Sequence, residues 1–169
     1  MRNRDEGDAP AQTRASILDR LIDDDPGSKP ERPPFRTQDR AQFGRSILRD
    51  LQHLLNSRTT FEVGVDEKVR RRRKPEDRTI VDLGLSDFTH LHPSSEEDRN
   101  LLARTIREAI AAFEPRLEIR RLRVVPIEGH RNQCEVRIDA WLIMDQAREP
   151  VSFGLNLDSS EGVVAVDGS

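Results

Sequence analysis

Cys134, Val136, Ile138, Ala140 and Leu142 fall at every second position of one run, with Glu135, Arg137, Asp139 and Trp141 between them. A two-residue period suits a strand with one buried and one wet face, because successive side chains leave a strand on opposite sides. Val151, Phe153, Leu155 and Leu157 repeat the pattern against Ser152, Gly154 and Asn156. One-faced strands belong to antiparallel sheets that are covered on a single side. From Leu117 to Val125 branched residues are interleaved with arginine, and the alternation slips between Ile119 and Leu122, which predicts a bulge. Val163 to Val166 can close the sheet.

Upstream the period changes to that of helices. Thr37 or Asp39 can cap a helix running to about Ser57, striped by Phe43, Ile47, Leu48, Leu51, Leu54 and Leu55. Arg45, Arg49, Asp50, Gln52 and His53 lie off that stripe. A second helix starts near Ser94/Ser95, where Ser94 and Glu97 form a predicted capping box and Glu96, Glu97 and Asp98 suit the helix dipole. Leu102, Ile106, Ala109, Ile110 and Phe113 stripe it, and Pro115 halts it at Glu114. Between the helices, Phe61 to Val65 reads as briefly extended, and Ile80 to Phe88 as a loop with a short apolar plug. Helices first and antiparallel strands afterwards define an α+β fold: two helices packed on a three- to four-stranded antiparallel sheet, with a mobile N-terminal arm. No internal repeat is visible.

The arm follows from composition. Residues 1–36 carry 9 of the 58 hydrophobic residues but 5 of the 10 prolines. Such a stretch buries too little apolar area to offset the entropy of ordering it, so most of it is expected to be disordered alone. One amphipathic island, at about residues 16–23, places Ile17, Leu18, Leu21 and Ile22 on one stripe of a short helix. A helix this short does not hold by itself. It either docks on its own domain or anchors in a partner's groove. The compact domain is expected from residue 37 to 169.

Several function classes are disfavoured. No apolar run reaches membrane-spanning length, the opening decapeptide lacks a signal peptide's apolar stretch, and the single Cys134 has no internal disulfide partner. These features lead us to expect a cytoplasmic location without direct membrane insertion. A net charge of -3 argues against a dedicated nucleic-acid binder. Arg70 to Lys74 is the strongest local charge run, but acidic residues flank it, so it reads as a solvated loop or a docking point for an acidic partner. No phosphate loop, dinucleotide fingerprint or zinc-ligand pattern is present, so neither cofactor nor metal is expected; His90-x-His92 reads as surface loop and Cys134 as a small buried hydrophobe.

Glu114-Pro115-Arg116 at the helix-to-strand junction is the most informative triplet. Proline fixes the backbone there, so an acid and a base are held at a defined turn. They are either an ordinary helix stop with two surface charges, or a fixed pair that is offered to a partner or locks helix to sheet. A catalytic reading would make Glu114 a general acid, which requires burial away from cations and a second carboxylate at a set separation. A nearby arginine works against it. The sequence shows no obvious second carboxylate, so no catalytic residue is assigned, and a peptidoglycan hydrolase is the alternative reading.

Five blocks together bring a family into view. Leu18-Asp19-Arg20-Leu21-Ile22-Asp23-Asp24, then Ser46 to Arg58 (SILRDLQHLLNSR), Asp82-Leu83-Gly84-Leu85-Ser86-Asp87-Phe88, Phe113-Glu114-Pro115-Arg116-Leu117 and Glu149-Pro150-Val151-Ser152-Phe153 occur in the order found in TssE, the small baseplate subunit of bacterial type VI secretion. Leu83 and Ser86 stand where that family usually has tyrosine and proline. The chain thus resembles TssE and, through it, the wedge subunit of contractile phage baseplates, a family often labelled lysozyme-like although its members are regarded as structural. The resemblance implies a place in a membrane-docked baseplate wedge with TssF and TssG, near TssK, touching the first ring of the TssB/TssC sheath. It also implies that Glu114, Pro115 and Arg116 serve sheath assembly. Ile17, Leu18, Leu21 and Ile22 are then expected to bind baseplate partners.

Overall fold

A computed structural model describes residues 13–22, 27, 37–59, 74–145, 147–158 and 162–168. The expected extended stretch at Phe61–Val65, Arg70–Arg73 of the basic run, and most of the remaining arm lie outside the described residues; Lys74, at the run's end, is exposed and faces Glu76 at 3.7 Å.

Helix α2, Arg40–Asn56, begins at Asp39, whose side chain accepts from the Gln42 backbone N–H while the Gln42 side chain accepts from that of Asp39. This reciprocal cap decides between the two candidates, and Thr37 instead pairs with Arg14. Phe43, Ile47, Leu51, Leu54 and Leu55 are buried as the stripe predicts, with Leu48 half-buried beside them. Helix α3, Glu96–Phe113, starts one residue later than the predicted box: Ser95, not Ser94, caps it by accepting from the Asp98 N–H. Either serine is chemically able to cap. The Ser95 N–H already bonds the His92 carbonyl, closing the turn that fixes the helix start. Glu114 ends α3.

Strands β3 (Leu117–Pro126), β4 (Gln133–Ile143), β5 (Arg148–Asp158) and β6 (Gly162–Gly168) form one antiparallel sheet in sequence order. The register shifts between Ile119 and Arg121, where the alternation slips. Cys134, Val136, Ile138, Ala140 and Leu142 join Phe153, Leu155 and Leu157 in the buried face, against which α2 and α3 lie. Burial pushes the Cys134 thiol up to about 11, with the charge of Asp158 adding to it, so this cysteine is an inert core residue. Among the described residues no helix is long and apolar enough to cross a membrane.

The loop after α2 is the apolar plug: Leu85 and Phe88 are buried, whereas Ile80 and Val81 face outward on a 3-10 turn. Gly84 makes this loop possible. Its φ is +100°, and a Cβ there would lie 2.3 Å from the Ser57 carbonyl oxygen. Leu85 bonds that carbonyl through its N–H, so neither backbone can retreat without losing the contact. Gly84→Ala is therefore expected to cost more than about 2 kcal/mol, from the left-handed backbone and the clash together. Thermal unfolding of the variant checks this, as a fall of roughly 4–8 °C or more in Tm.

The arm segment preceding α2 lies against this body. Strand β1, Thr13–Arg14, pairs with β2, Thr37–Gln38, and the Arg14 N–H reaches the Asp145 carboxylate at the β4–β5 turn. Helix α1 spans Ile17–Leu21, inside the island predicted at 16–23, and Ser16 caps it by accepting from the Asp19 N–H.

Candidate functional site

The junction triplet and α1 meet on one flank of α2. Glu114, only 3% exposed, ends α3, and Arg116 returns over it: the Arg116 Nε donates to Oε1 at 2.6 Å and Nη2 to Oε2 at 2.5 Å. Pro115, between them, is exposed. Arg116 Nη2 also donates to Asp50 at 2.6 Å, and Nη1 to the Ser46 hydroxyl at 3.1 Å. Its guanidinium lies 5.7 Å from the Phe43 ring centroid. Asp50 then holds Arg49, and Arg49 Nη2 donates to Asp19 of α1 at 2.7 Å. One chain of alternating charge thus runs Glu114, Arg116, Asp50, Arg49, Asp19, and the Ser46 hydroxyl bridges it by accepting from Arg116 and donating to Asp19 at 2.9 Å.

The electrostatics follow from this alternation. Burial works to lower the Arg116 pKa, but hydrogen bonds and charge from Glu114 and then Asp50 raise it above the ordinary arginine range. Arg49 is raised in the same way by Asp19 and Asp50. Burial of Asp19 acts to raise its pKa; hydrogen bonds from Ser16, Arg49 and Ser46 and the charge of Arg49 outweigh it and hold the carboxyl at about 2. Because this value lies below the ordinary 3.8, the contribution of Asp19 is complete above pH 4 and is lost as pH falls through 2. Acid is thus expected to release α1, and Asp19→Asn to do so at neutral pH. Hydrogen exchange checks this, as amide protection in residues 17–22 falling by about tenfold or more.

The apolar residues of α1 point the other way. Ile17, Leu18, Leu21 and Ile22 are 75%, 54%, 75% and 42% exposed. The helix docks on its own domain through a carboxylate, and its stripe remains outward. Of the two open possibilities for the island, the structure shows docking on its own domain, through the polar face of the helix and not the apolar one.

Sequence reading did not assemble Ser46, Arg49, Asp50 and Asp19 into this site. Arg49 and Asp50 counted as surface residues off the stripe. Their signal was the spacing of Ser46, Arg49 and Asp50 at i, i+3 and i+4, which aligns them along one edge of α2. The structure does supply Glu114 with a neighbouring carboxylate, Asp50. A hydrolase would place a sugar linkage between two such groups. Here the Arg116 guanidinium fills that space, and both Glu114 oxygens are bonded to it. Both carboxylates, Glu114 and Asp50, are thus engaged by arginines, the opposite of the cation-free setting a general acid needs. His90 and His92 are both exposed, as the surface-loop reading expects.

Fold and site define a small α+β scaffold, whose charged corner joins three helices and a sheet and leaves the apolar residues of α1 exposed. The model of the family described as baseplate wedge protein gp25 matches residues 41–147, more than three fifths of the chain. The chain belongs to that family, a structural component of phage-tail-like baseplates whose type VI secretion homologue is TssE. No curated protein and no solved structure matches it.

Proposed function

We propose that this protein is the TssE-type wedge subunit of a type VI secretion baseplate, linking the wedge complex to the contractile sheath and helping to start sheath assembly. The observation that carries the reading is family membership over 41–147, combined with two further TssE-like blocks outside that range, at Leu18–Asp24 and Glu149–Phe153. In this reading TssF and TssG, near TssK, are the wedge partners, and the TssB/TssC sheath is the neighbour above. The protein acts in the cytoplasm within a membrane-docked assembly and has no catalytic role.

The structure is suited to such work. Four exposed apolar residues on a helix tethered at Asp19 offer an anchor that a wedge partner can bury without unfolding anything. The outer edges of β3 and β6 are the two ends of the sheet, and an edge accepts another chain's strand by backbone hydrogen bonds. Glu114 and Arg116 fix the angle between α3 and β3, so the edge is presented in one geometry, with Pro115 outward beside it.

Co-expression with TssF, TssG, TssB and TssC tests the proposal. The native chain is expected to co-purify with TssF and TssG. Ile17→Asp/Leu21→Asp should keep the native circular dichroism spectrum and lose most of that association. Equal recovery of both partners by the double variant removes α1 from the interface, and no association by the native chain overturns the wedge assignment.

A further inference from the structure

The sheet face turned away from the helices carries a feature that the wedge reading does not use. The bulge at Arg120 interrupts the alternation of β3, so Arg120, Arg121 and Arg123 are all exposed on the same side of the sheet as Trp141. The Arg120 guanidinium lies 5.3 Å from the Trp141 ring centroid, a cation–π distance. Arg121 stands opposite Asp139, but Asp139 accepts from the Ser152 hydroxyl at 2.9 Å. Arg123 stands opposite Arg137, which is forked onto Glu135 at 2.8 and 2.9 Å. Among the described residues neither Arg121 nor Arg123 has an ion pair or a side-chain hydrogen bond. Like charges directly opposite each other weaken a strand pair, so the Arg123–Arg137 position carries a cost within the isolated chain.

We propose that Arg120, Arg121 and Arg123, with Trp141, dock an acidic polypeptide segment of a neighbouring protein. Two free guanidiniums on one strand face match carboxylates in forked, charge-assisted geometry. Trp141, held by Arg120, supplies the flat apolar floor beside them. Filling the site with anions relieves the Arg123–Arg137 repulsion, so the cost in the free chain becomes a gain in the complex. The partner is a polypeptide rather than a nucleic acid, because Glu118, Glu135 and Asp139 bound the arginines on this face and confine them to a short cluster, long enough for a few side-chain carboxylates but not the continuous basic track that a nucleic-acid backbone requires.

Trp141 is the single tryptophan of the chain and reports on the site directly. The full-length protein is titrated with an oligo-glutamate peptide while Trp141 fluorescence is followed. The expected result is a saturable, salt-sensitive change that weakens by about tenfold in Arg121→Ser/Arg123→Ser, the size that two partly exposed ion pairs supply. Arg104→Ser/Arg107→Ser removes the same charge from the exposed side of α3 and should leave the titration unchanged. Equal weakening in both double variants overturns the site in favour of bulk charge. Tighter binding of a single-stranded RNA oligomer than of the peptide overturns the polypeptide assignment. Self-association of Arg121→Ser/Arg123→Ser with undiminished peptide binding overturns it too, and makes these arginines guards of the sheet edge.

Discussion

Leu51→Asp abolishes the folded state at neutral pH. Leu51 is fully buried at the centre of the α2 stripe, within the cluster formed by α2, α3 and the inner face of the sheet. Truncating a leucine in such a place already costs about 2–5 kcal/mol through lost transfer energy and the cavity left behind. Aspartate adds a carboxylate inside a cluster built of apolar side chains. The total exceeds about 5 kcal/mol, and a domain of this size has roughly 5–15 kcal/mol in all. The variant is expected to show no cooperative thermal transition by circular dichroism, where the native chain shows one. A buried carboxyl favours its neutral form, so part of the transition should return on acidification. Gln52→Asp, one residue along and exposed, is the matching control and should shift stability by no more than about 0.5 kcal/mol. A cooperative Leu51→Asp variant with native Tm would mean that α2 does not pack on the sheet by this face.

Elements whose reasons are local were legible in the sequence. Alternation in 134–142 and 151–157 specifies both the strands and their buried face, and the slip before Leu122 marks the bulge now seen at Arg120. The α2 stripe and the stop at Pro115 are equally local. Contacts between residues distant in the chain were not legible. Asp19 and Arg49 are thirty positions apart and Asp50 and Arg116 sixty-six, so no periodicity reports their meeting. This explains why the α1 stripe was readable as amphipathic while its direction was not. An apolar stripe ordinarily turns inward, but here a polar tether on the opposite face decides the orientation. The same reasoning applies to Glu114-Pro115-Arg116. Its rigidity followed from proline, but only the arrival of Ser46 and Asp50 shows that the arginine is committed to its own chain.

That commitment makes Arg116→Ala the second large effect. Its guanidinium serves Glu114, Asp50 and Ser46 at once. Removing it leaves the Glu114 carboxylate buried without its counter-ion, a situation that costs about 3–5 kcal/mol. For a chain of this length Tm is then expected to fall by roughly 6–20 °C, with a cooperative transition retained. Glu114→Ala should cost less, because Arg116 keeps Asp50 and is partly exposed, with solvent available to it. Asp50→Asn lies between, since it weakens the links to Arg116 and Arg49 together. The double variant Glu114→Gln/Arg116→Met removes both charges at similar volume and should recover part of the lost stability, as neutral replacements of buried pairs do. Its behaviour with sheath and wedge subunits separates two roles of the corner. Recovered stability with recovered sheath assembly means the pair acts only by holding α3 to β3. Recovered stability without assembly means the charges themselves are read by a neighbour.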